Sequence, residues 1–283
     1  MKTDPLAAIL AHIRTEPSRT WSIIISFFGD AIMPRGGAVW LGTVLAFFKG
    51  MDVGDNVVRS AVSRLASEHW LTRSRQGRHS FYHLAPRGQE AFAQAARHIY
   101  HHHPQSWQNG FEAVLATEPT AREVLEQAGF GMVLPGLFIA PSPSTPPVAA
   151  LHFTLTGSPD ALRELAARSW NLTALTTAYE RFLQVFSPLW QALVQGLTLT
   201  PQEAILARVL LIHEYRRIAL RDPMLPYALL PATWPGENAL GCCAAIYKYL
   251  LPASEQWLDA HARGPESCPL PANPEVFLRF GGT

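Results

Sequence analysis

The sequence predicts an α+β protein of more than one domain, and three observations support this prediction. The chain has 283 residues, which is enough for two or three domains that each bury a core. Its hydrophobic fraction of 48% and charged fraction of 16% are typical of globular proteins. The pattern also changes along the chain: residues 20–88 have helical periodicity closed by a hairpin, 104–170 alternate between strand and helix patterns, and 172–262 are nearly all helical.

Two helices are predicted first, and a glycine turn separates them. We expect the first to begin with Thr20 as its N-cap and to stop at Gly29. A turn at 35–37 follows, and the second helix ends near Gly50. Its apolar residues at helical spacing are Val39, Trp40, Val44, Leu45 and Phe48.

The third predicted helix is amphipathic and has a polar face rich in arginine. It begins at Asp55, and its apolar residues are Val58, Ala61, Val62 and Leu65, spaced as i, i+3, i+4 and i+7. The opposite face carries Asn56, Arg59, Ser60, Ser63 and Arg64.

A basic hairpin is predicted directly after this helix, between Leu71 and Leu84. The pair Gln76-Gly77 separates its two short strands, because glycine tolerates the positive φ of a tight turn. Three helices followed by a basic hairpin is the order of a winged helix-turn-helix domain, which we place at residues 1–97.

The charge distribution suggests that this region binds DNA. Residues 1–103 carry a net charge of +5 and residues 104–283 a net charge of −4. Between residues 56 and 87 there are six arginines and one acidic residue, Glu68. Helix side chains of this kind contact base edges in the major groove, and a cationic hairpin suits phosphates or the minor groove. The hairpin candidates are Arg73, Arg75, Arg78 and His79. A merely solvated basic face, or a winged helix that binds protein, remains an alternative.

Several sequence runs follow a pattern that a known protein family shares. In the first third they are Arg35-Gly36-Gly37-x-x-Trp40, Val58-Arg59-x-x-x-x-Arg64-Leu65, Trp70-Leu71 and Arg75-x-Gly77-Arg78-x-Ser80-x-Tyr82-x-Leu84. Further along they are the runs 129–136, 211–226 and 229–236. In these runs the chain resembles the PaaX family, whose members repress operons of phenylacetate degradation. One position departs from the pattern, since His69 stands where we expect glycine.

The resemblance implies a three-domain architecture and a ligand-responsive function. It implies a ferredoxin-like domain, similar to the CRISPR-associated Cas2 fold, at 104–170 and an all-helical domain for ligand sensing and dimerisation at 171–283. It further implies a homodimer on double-stranded operator DNA that phenylacetyl-CoA releases. Nuclease chemistry in the middle domain is not predicted, because the only acid of its first strand, within 107–116, is Glu112.

The helical region offers a candidate ligand site beyond a well-defined helix start. Thr200, Pro201 and Glu203 form a capping box with proline at the first helical position. The candidate ligand residues are His213, Tyr215, Arg216, Arg217, Arg221 and Trp234. Arginines could clamp the phosphates of a CoA thioester and aromatic rings could stack on its adenine. Alternatively, Glu214 or Asp222 pairs with these arginines and the cluster is structural.

Other features limit the remaining functions. Three cysteines cannot form a disulfide framework. His98 and the histidines at 101–103 indicate a solvated linker, because consecutive histidines point in different directions. No metal and no cofactor is predicted. The N-terminus lacks a signal peptide, so we expect a cytoplasmic protein without membrane contact. Three alternatives stay open: a regulator that responds to another acyl-CoA, a protein-interaction adaptor, and a CoA-thioester enzyme whose one candidate base is His213.

Overall fold

The computed structural model describes residues 4–15, 19–100, 107–116, 118–265 and 268–281, and these form a mixed α+β structure as predicted. The described chain forms two compact units. The first contains residues up to 100, 181–220 and those from 238 onward, and the second contains 107–180 and 221–237. The division into three domains stays a prediction. No described helix is long and apolar enough to cross a membrane.

The N-terminal part of the first unit contains five helices and a small sheet. The helices are α1 (Pro5–Thr15), α2 (Thr20–Phe27), α3 (Leu41–Lys49), α4 (Asp55–Ser67) and α5 (Pro86–Tyr100). The strands are β1 (Ala38–Trp40), β2 (Leu71–Gln76) and β3 (His79–Leu84), in the order β1-β3-β2 and all antiparallel. Helix α4 buries Val58, Val62 and Leu65, as its periodicity predicts. Helix α2 contacts both α4 and the later helix α9 (Pro201–Ala219).

The structure corrects the second predicted helix, because residues 38–40 form strand β1 and the helix begins only at Leu41. Val39 of β1 lies opposite Tyr82 of β3. This pairing across more than forty residues outweighs the local helical spacing. The hairpin itself is confirmed, but its turn is Gly77-Arg78, since Gln76 still pairs with His79. Gly77 has φ +58°, which suits glycine at this turn.

The structure also corrects the end of the first predicted helix. The backbone continues past Gly29 through a π-helical turn, Phe28–Ile32, and a 3₁₀ turn, Met33–Arg35. Gly29 is needed for packing rather than for termination, because a Cβ built there would lie 1.4 Å from Cζ of Phe92 on α5. The chain turns instead at Gly36 and Gly37, where φ is +91° and +80°.

Because of the close contact at Gly29, we expect alanine substitutions at two glycines to change the free energy of unfolding in opposite directions. We expect Gly29→Ala to lower the free energy of unfolding by about 1–3 kcal/mol, because the Phe92 ring must move out of a packed core. Gly241→Ala is the control, since a methyl group added to this helical glycine would have no other atom within 4 Å. That substitution should stabilise the protein by about 0.5–1 kcal/mol. Urea denaturation of both variants checks this, and equal effects would contradict the packing role.

The histidine that departs from the family pattern has a backbone explanation. His69, which stands where glycine was expected, has φ +58°. This left-handed conformation follows the end of α4 and turns the chain into β2. Glycine adopts it without strain, whereas other residues adopt it at a cost. Glycine is therefore expected at this position because of the left-handed backbone conformation, and His69 adopts the same conformation.

The remaining helices of the first unit come from the C-terminal half of the chain. Helix α8 (Leu172–Val194) begins in the second unit and continues in the first; α9 and α10 (Gly236–His261) follow, with a short 3₁₀ turn at Pro274–Leu278. The predicted capping box of α9 is present: Thr200 Oγ1 accepts from the backbone N–H of Glu203, and the Glu203 carboxylate accepts from the N–H of Thr200.

A buried ionic cluster joins these helices to the N-terminal part, and no local sequence pattern indicates it. The carboxylate of Asp30 and the guanidinium of Arg208 are both fully buried, with Arg208 Nε 2.7 Å from Asp30 Oδ2. Asp30 Oδ1 accepts hydrogen bonds from Tyr100 (2.7 Å), Tyr247 (3.0 Å) and Arg279 Nη1 (2.8 Å). Burial lowers the pKa of Arg208, but the charges around it, Asp30 foremost, more than reverse this and the pKa is raised. Arg208 therefore stays charged.

Glu255 extends this cluster on the other side of Arg208. Its Oε1 lies 2.6 Å from Arg208 Nη1, and its Oε2 lies 2.6 Å from Nη2 of the buried Arg35. Arg35 also pairs with Asp259 at 2.8 Å. Three arginines and three carboxylates thus neutralise one another, which buried charges require. Residues 30–35 and helices α9 and α10 are consequently parts of one unit.

The second unit is built around a four-stranded antiparallel sheet. Its elements are β4 (Gly110–Leu115), α6 (Pro119–Gln127), β5 (Gly131–Leu134), β6 (Leu137–Pro141), β7 (Leu151–Thr156) and α7 (Pro159–Ser169). The strand order is β5-β6-β4-β7. One face packs Val114 and Phe138 against Leu125 of α6 and Phe130. On the other face, the ring of Phe111 lies 6.2 Å from that of Trp170.

Candidate nucleic-acid interface

The polar face of α4 is exposed along its whole length. Asn56, Arg59, Ser60, Ser63 and Arg64 all reach solvent, while Val58, Val62 and Leu65 of the same helix are buried. Each arginine has an acidic neighbour one turn away. Arg59 Nη2 lies 3.9 Å from Asp55, and Arg64 Nε lies 2.6 Å from Glu68. Both pairs are solvent-exposed and therefore weak, so either guanidinium can leave its partner for a nucleic-acid oxygen.

The hairpin carries the second group of candidate residues. Arg73 donates to Ser80 Oγ at 2.9 Å across the two strands, and Arg75 Nε donates to the carbonyl of Gly77 at 3.1 Å. Arg78 is exposed in the turn itself. The His79 ring meets the ring of Trp40 edge-on at 5.3 Å. The tip of the hairpin is thus positively charged, because the hydrogen-bond acceptors of Arg73 and Arg75 named above are neutral.

All nine predicted DNA-binding residues are exposed on α4, β2, β3 and their turn, which follow one another in the first unit. Helix α4 and strand β2 are in contact. The two acids in this stretch each lie beside an arginine: Asp55 is 3.9 Å from Arg59, and Glu68 accepts a hydrogen bond from Arg64 while its backbone carbonyl accepts from Arg87 at 3.5 Å. A helix of this size fits the major groove, and a cationic hairpin beside it suits the phosphate backbone. The arrangement can therefore bind a polyanionic duplex.

The candidate ligand residues of the first unit are mostly buried. Tyr215 is a core residue, and its ring lies 5.5 Å from that of Phe182. His213 is fully buried; its Nδ1 lies 2.9 Å from Ser26 Oγ, while its Nε2 has no hydrogen-bond partner among the described residues. Burial, followed by the charges of two neighbouring arginines, lowers the pKa of His213 well below its usual value. The imidazole is therefore neutral at neutral pH.

Arg216 and Arg217 differ although they are adjacent. Arg216 donates to Ser26 Oγ at 2.7 Å and to Ser22 Oγ at 2.8 Å, and burial together with Arg217 lowers its pKa to about 10. Arg217 is exposed and pairs with Glu214 at 3.0 Å. An ion pair between Glu214 and an arginine is the alternative to ligand binding that the sequence offers, and this pair is present at Arg217. Arg216 is instead hydrogen-bonded to serine side chains.

Arg221 and Trp234 belong to the second unit. Helix α9 ends at Ala219, so Arg217 and Arg221, although four positions apart, do not share a helix face. Arg221 is exposed beyond the helix end. Trp234 is half-buried, with its ring 5.6 Å from that of Tyr179. The structure therefore brings together His213, Arg216 and Arg217, but it divides the six candidates between two units.

Sequence reasoning missed Ser26 as the partner of His213. The two residues are 187 positions apart, so no local motif could reveal them. Both side chains are fully buried, which keeps any substrate away from this pair.

Glu112 of β4 accepts hydrogen bonds from Ser142 (2.6 Å) and Thr154 (3.4 Å). The described residues hold no cluster suited to a metal ion, and the histidine run 101–103 lies outside them.

The chain is thus an α+β protein in which α4 and the β2–β3 hairpin form a cationic surface. Surfaces of this kind can bind nucleic acid. A family model described as PaaX-like protein matches residues 19–88, and one described as PaaX-like protein C-terminal domain matches residues 170–260. The transcriptional repressor PaaX of Escherichia coli (strain K12) is 35% identical over 294 aligned residues, covering 95% of this chain and 92% of that protein. The chain therefore belongs to the PaaX family.

Similarity to this chain is also found among solved structures. The uncharacterized protein Rv0674 from Mycobacterium tuberculosis has 22% sequence identity and a TM-score of 0.47. The alignment covers 76% of this chain and 88% of that one.

Proposed function

We propose that this protein is a cytoplasmic transcriptional repressor that binds operator DNA through α4 and the β2–β3 hairpin. The observation that carries the proposal is the exposure of all nine candidate residues on consecutive elements of one unit. The relative from Escherichia coli is named a transcriptional repressor, and its alignment spans nearly the whole of both chains. A regulator without catalytic activity is consistent with both observations.

The domain identities that we propose follow from the order of elements. Helices α2 to α4 followed by a hairpin support a winged helix-turn-helix domain. The order β4-α6-β5-β6 agrees with the first four elements of a ferredoxin-like β-α-β-β-α-β domain. The last two elements, β7 and α7, come in the exchanged order. We infer a ferredoxin-like scaffold whose final helix follows the final strand.

We further propose that an aryl-CoA thioester such as phenylacetyl-CoA releases the protein from DNA. Family membership supports this effector class, and a ligand lowers DNA affinity if it binds better to a conformation that does not fit the operator. Two arginines of the candidate set are exposed, Arg217 in the first unit and Arg221 in the second, and either one by itself could contact a phosphate of CoA. A homodimer would place two α4 helices about 34 Å apart on an inverted repeat.

The test of the proposed function is a gel-shift titration on DNA upstream of the gene's own operon and of neighbouring catabolic genes. We expect specific binding at moderate salt that phenylacetyl-CoA abolishes and that free CoA leaves unchanged. Binding that responds to a different acyl-CoA would retain the repressor and change its effector. Absence of specific binding would contradict DNA recognition and favour an adaptor role.

A further inference from the structure

One apolar side chain lies on the exposed surface of α4 among the candidate DNA-binding residues. Val57 is 52% exposed, whereas the other valines and the leucine of this helix are buried. An α-helix turns by about 100° per residue, so Val57 lies about 60° from Ser60 and about 20° from Arg64 around the helix axis. Val57 is therefore part of the surface that these polar residues form, although it has no polar atom in its side chain.

The position of Val57 matters more than its exposure, because single exposed valines are common on protein surfaces. Val57 lies in the first turn of α4, where its backbone N–H donates to the carbonyl of Gly54 at 3.0 Å. When a recognition helix occupies the major groove, the residues of its first turns contact base edges. Ser60 and Arg64 follow about 4.5 and 10.5 Å further along the axis. Val57 is therefore continuous with the proposed interface and lies where that interface approaches the bases.

The major groove offers a valine one apolar group to recognise. Adenine, guanine and cytosine present hydrogen-bond donors or acceptors there, whereas thymine presents a 5-methyl group beside its O4 acceptor. Val57 cannot hydrogen-bond through its side chain, so a polar base edge covered by it would lose water without gaining a partner. A methyl group covered by it leaves water at a gain of roughly fourfold in affinity. The chemistry of this side chain thus favours thymine.

The shape of Val57 also suits base recognition. Valine is branched at Cβ, and in a helix its side chain has one strongly preferred rotamer. Its two methyl groups are therefore held in place before DNA binds, and contact costs little conformational entropy. Packing within the protein does not require valine at this exposed position, and alanine, lysine or glutamate would favour the helix more. A role in binding explains why a weaker helix former stands here.

We propose that Val57 recognises the 5-methyl group of one thymine in each operator half-site. This inference rests on the proposed function, because the proposed function places α4 in the major groove of operator DNA. It adds a base identity to that function and a specificity-determining residue to the nine polar candidates. Thymine is the base that this residue selects, and cytosine at the same place is disfavoured because its amino group would face the valine without an acceptor.

Replacement of thymine by uracil tests the proposal, because uracil lacks the 5-methyl group and keeps the O4 acceptor. The probe is a symmetric duplex that the full-length wild type selects from random-sequence DNA, and each thymine is replaced in turn. We expect one replacement to weaken wild-type binding about fourfold in one half-site and about 15-fold in both. Val57→Ala should bind the thymine probe about as weakly as the wild type binds the uracil probe. For this variant the same replacement should change affinity less than about twofold. Fluorescence anisotropy measures all four combinations, which form a double-mutant cycle.

Val194→Ala is the matched control for this experiment. Val194 is 64% exposed and also apolar, but it lies on α8, so its variant should show the full uracil effect of the wild type. Val57→Ala should fold, because alanine is a better helix former than valine. Val57→Thr keeps one methyl group and the branch at Cβ, and its uracil effect should lie between those of the wild type and Val57→Ala.

Two results would overturn the inference while leaving the repressor function intact. In the first, the wild type selects a sequence, but no thymine in it shows a uracil effect that depends on Val57. In the second, Val57→Ala weakens binding equally to the thymine and uracil probes at every position, which indicates contact with the sugar-phosphate backbone. A wild type that selects no sequence at all would contradict the proposed function itself, and this inference with it.

Discussion

Replacing Asp30 by alanine is expected to lower the free energy of unfolding by about 3–5 kcal/mol, the largest effect expected of any single substitution in this protein. The carboxylate of Asp30 neutralises Arg208 and Arg279 and accepts from two tyrosine hydroxyls inside the first unit. Without it, the fully buried Arg208 keeps one carboxylate, Glu255, which must also serve Arg35, and otherwise only the neutral oxygens of Ser254 and of the backbone carbonyl at position 30. An uncompensated buried cation is far more costly than a missing surface contact.

Asp259→Ala is the matched control for this experiment. Asp259 also pairs with a buried arginine, Arg35, at 2.8 Å, but its own side chain is 60% exposed. Water can replace its carboxylate, so we expect a loss of at most about 1 kcal/mol. Urea denaturation followed by circular dichroism measures both variants. If Asp30→Ala and Asp259→Ala were equally mild, the buried cluster would not hold the unit together.

Removing Arg59 or Arg64 from α4 is expected to weaken specific operator binding by about 1–3 kcal/mol for each residue, or roughly 5- to 150-fold. Both side chains are exposed and their acidic partners are weakly bound surface neighbours. Arg64 must leave a 2.6 Å contact with Glu68, whereas Arg59 leaves one of 3.9 Å. We therefore expect Arg59→Ala to have the larger effect. Fluorescence anisotropy on operator and scrambled DNA measures it.

The hairpin arginines provide the comparison that distinguishes base reading from phosphate contact. Arg75→Ala and Arg78→Ala should weaken binding to all sequences alike and reduce the salt slope by about one for each lost phosphate contact. Arg163→Ala, an exposed arginine on α7 of the second unit, should leave both affinities unchanged. If the helix and hairpin variants behaved identically, the division of roles between them would be wrong.

The elements that the sequence predicted correctly are those whose signals are local. Helix α4 is recognisable from its spacing of Val58, Val62 and Leu65, and the hairpin from the Gln76-Gly77 pair between two short strands. The capping box at Thr200 needs only four consecutive residues. The exposure of the arginines on α4 follows directly from burial of its other face. Most of the candidate DNA surface is therefore predictable from the amino-acid sequence alone.

The features that escaped prediction depend on partners far away in the chain. Strand β1 has three residues and exists because β3 lies beside it. The pairs Asp30–Arg208 and Arg35–Glu255 join residues 178 and 220 positions apart. Charged residues are rarely buried, so nothing in the sequence indicates that these four side chains lie in a core. Tyr215, a ligand candidate, lies in the core, and a run of aromatic and basic residues has the same appearance in a core as at a ligand site.

The closing contacts of the first unit come from the last residues of the chain. Arg279 lies 2.8 Å from Asp30 Oδ1, and the backbone N–H of Phe280 donates to the carbonyl of Tyr100. Synthesis on the ribosome proceeds from the N-terminus, so α4 and its hairpin leave the tunnel long before these partners exist. A chain whose synthesis stops early contains the DNA-binding candidates of α4 and the hairpin. Its core is incomplete, because the buried carboxylate of Asp30 lacks its partners Arg208 and Arg279. We therefore expect such fragments to be degraded rather than to compete with complete repressors for operators.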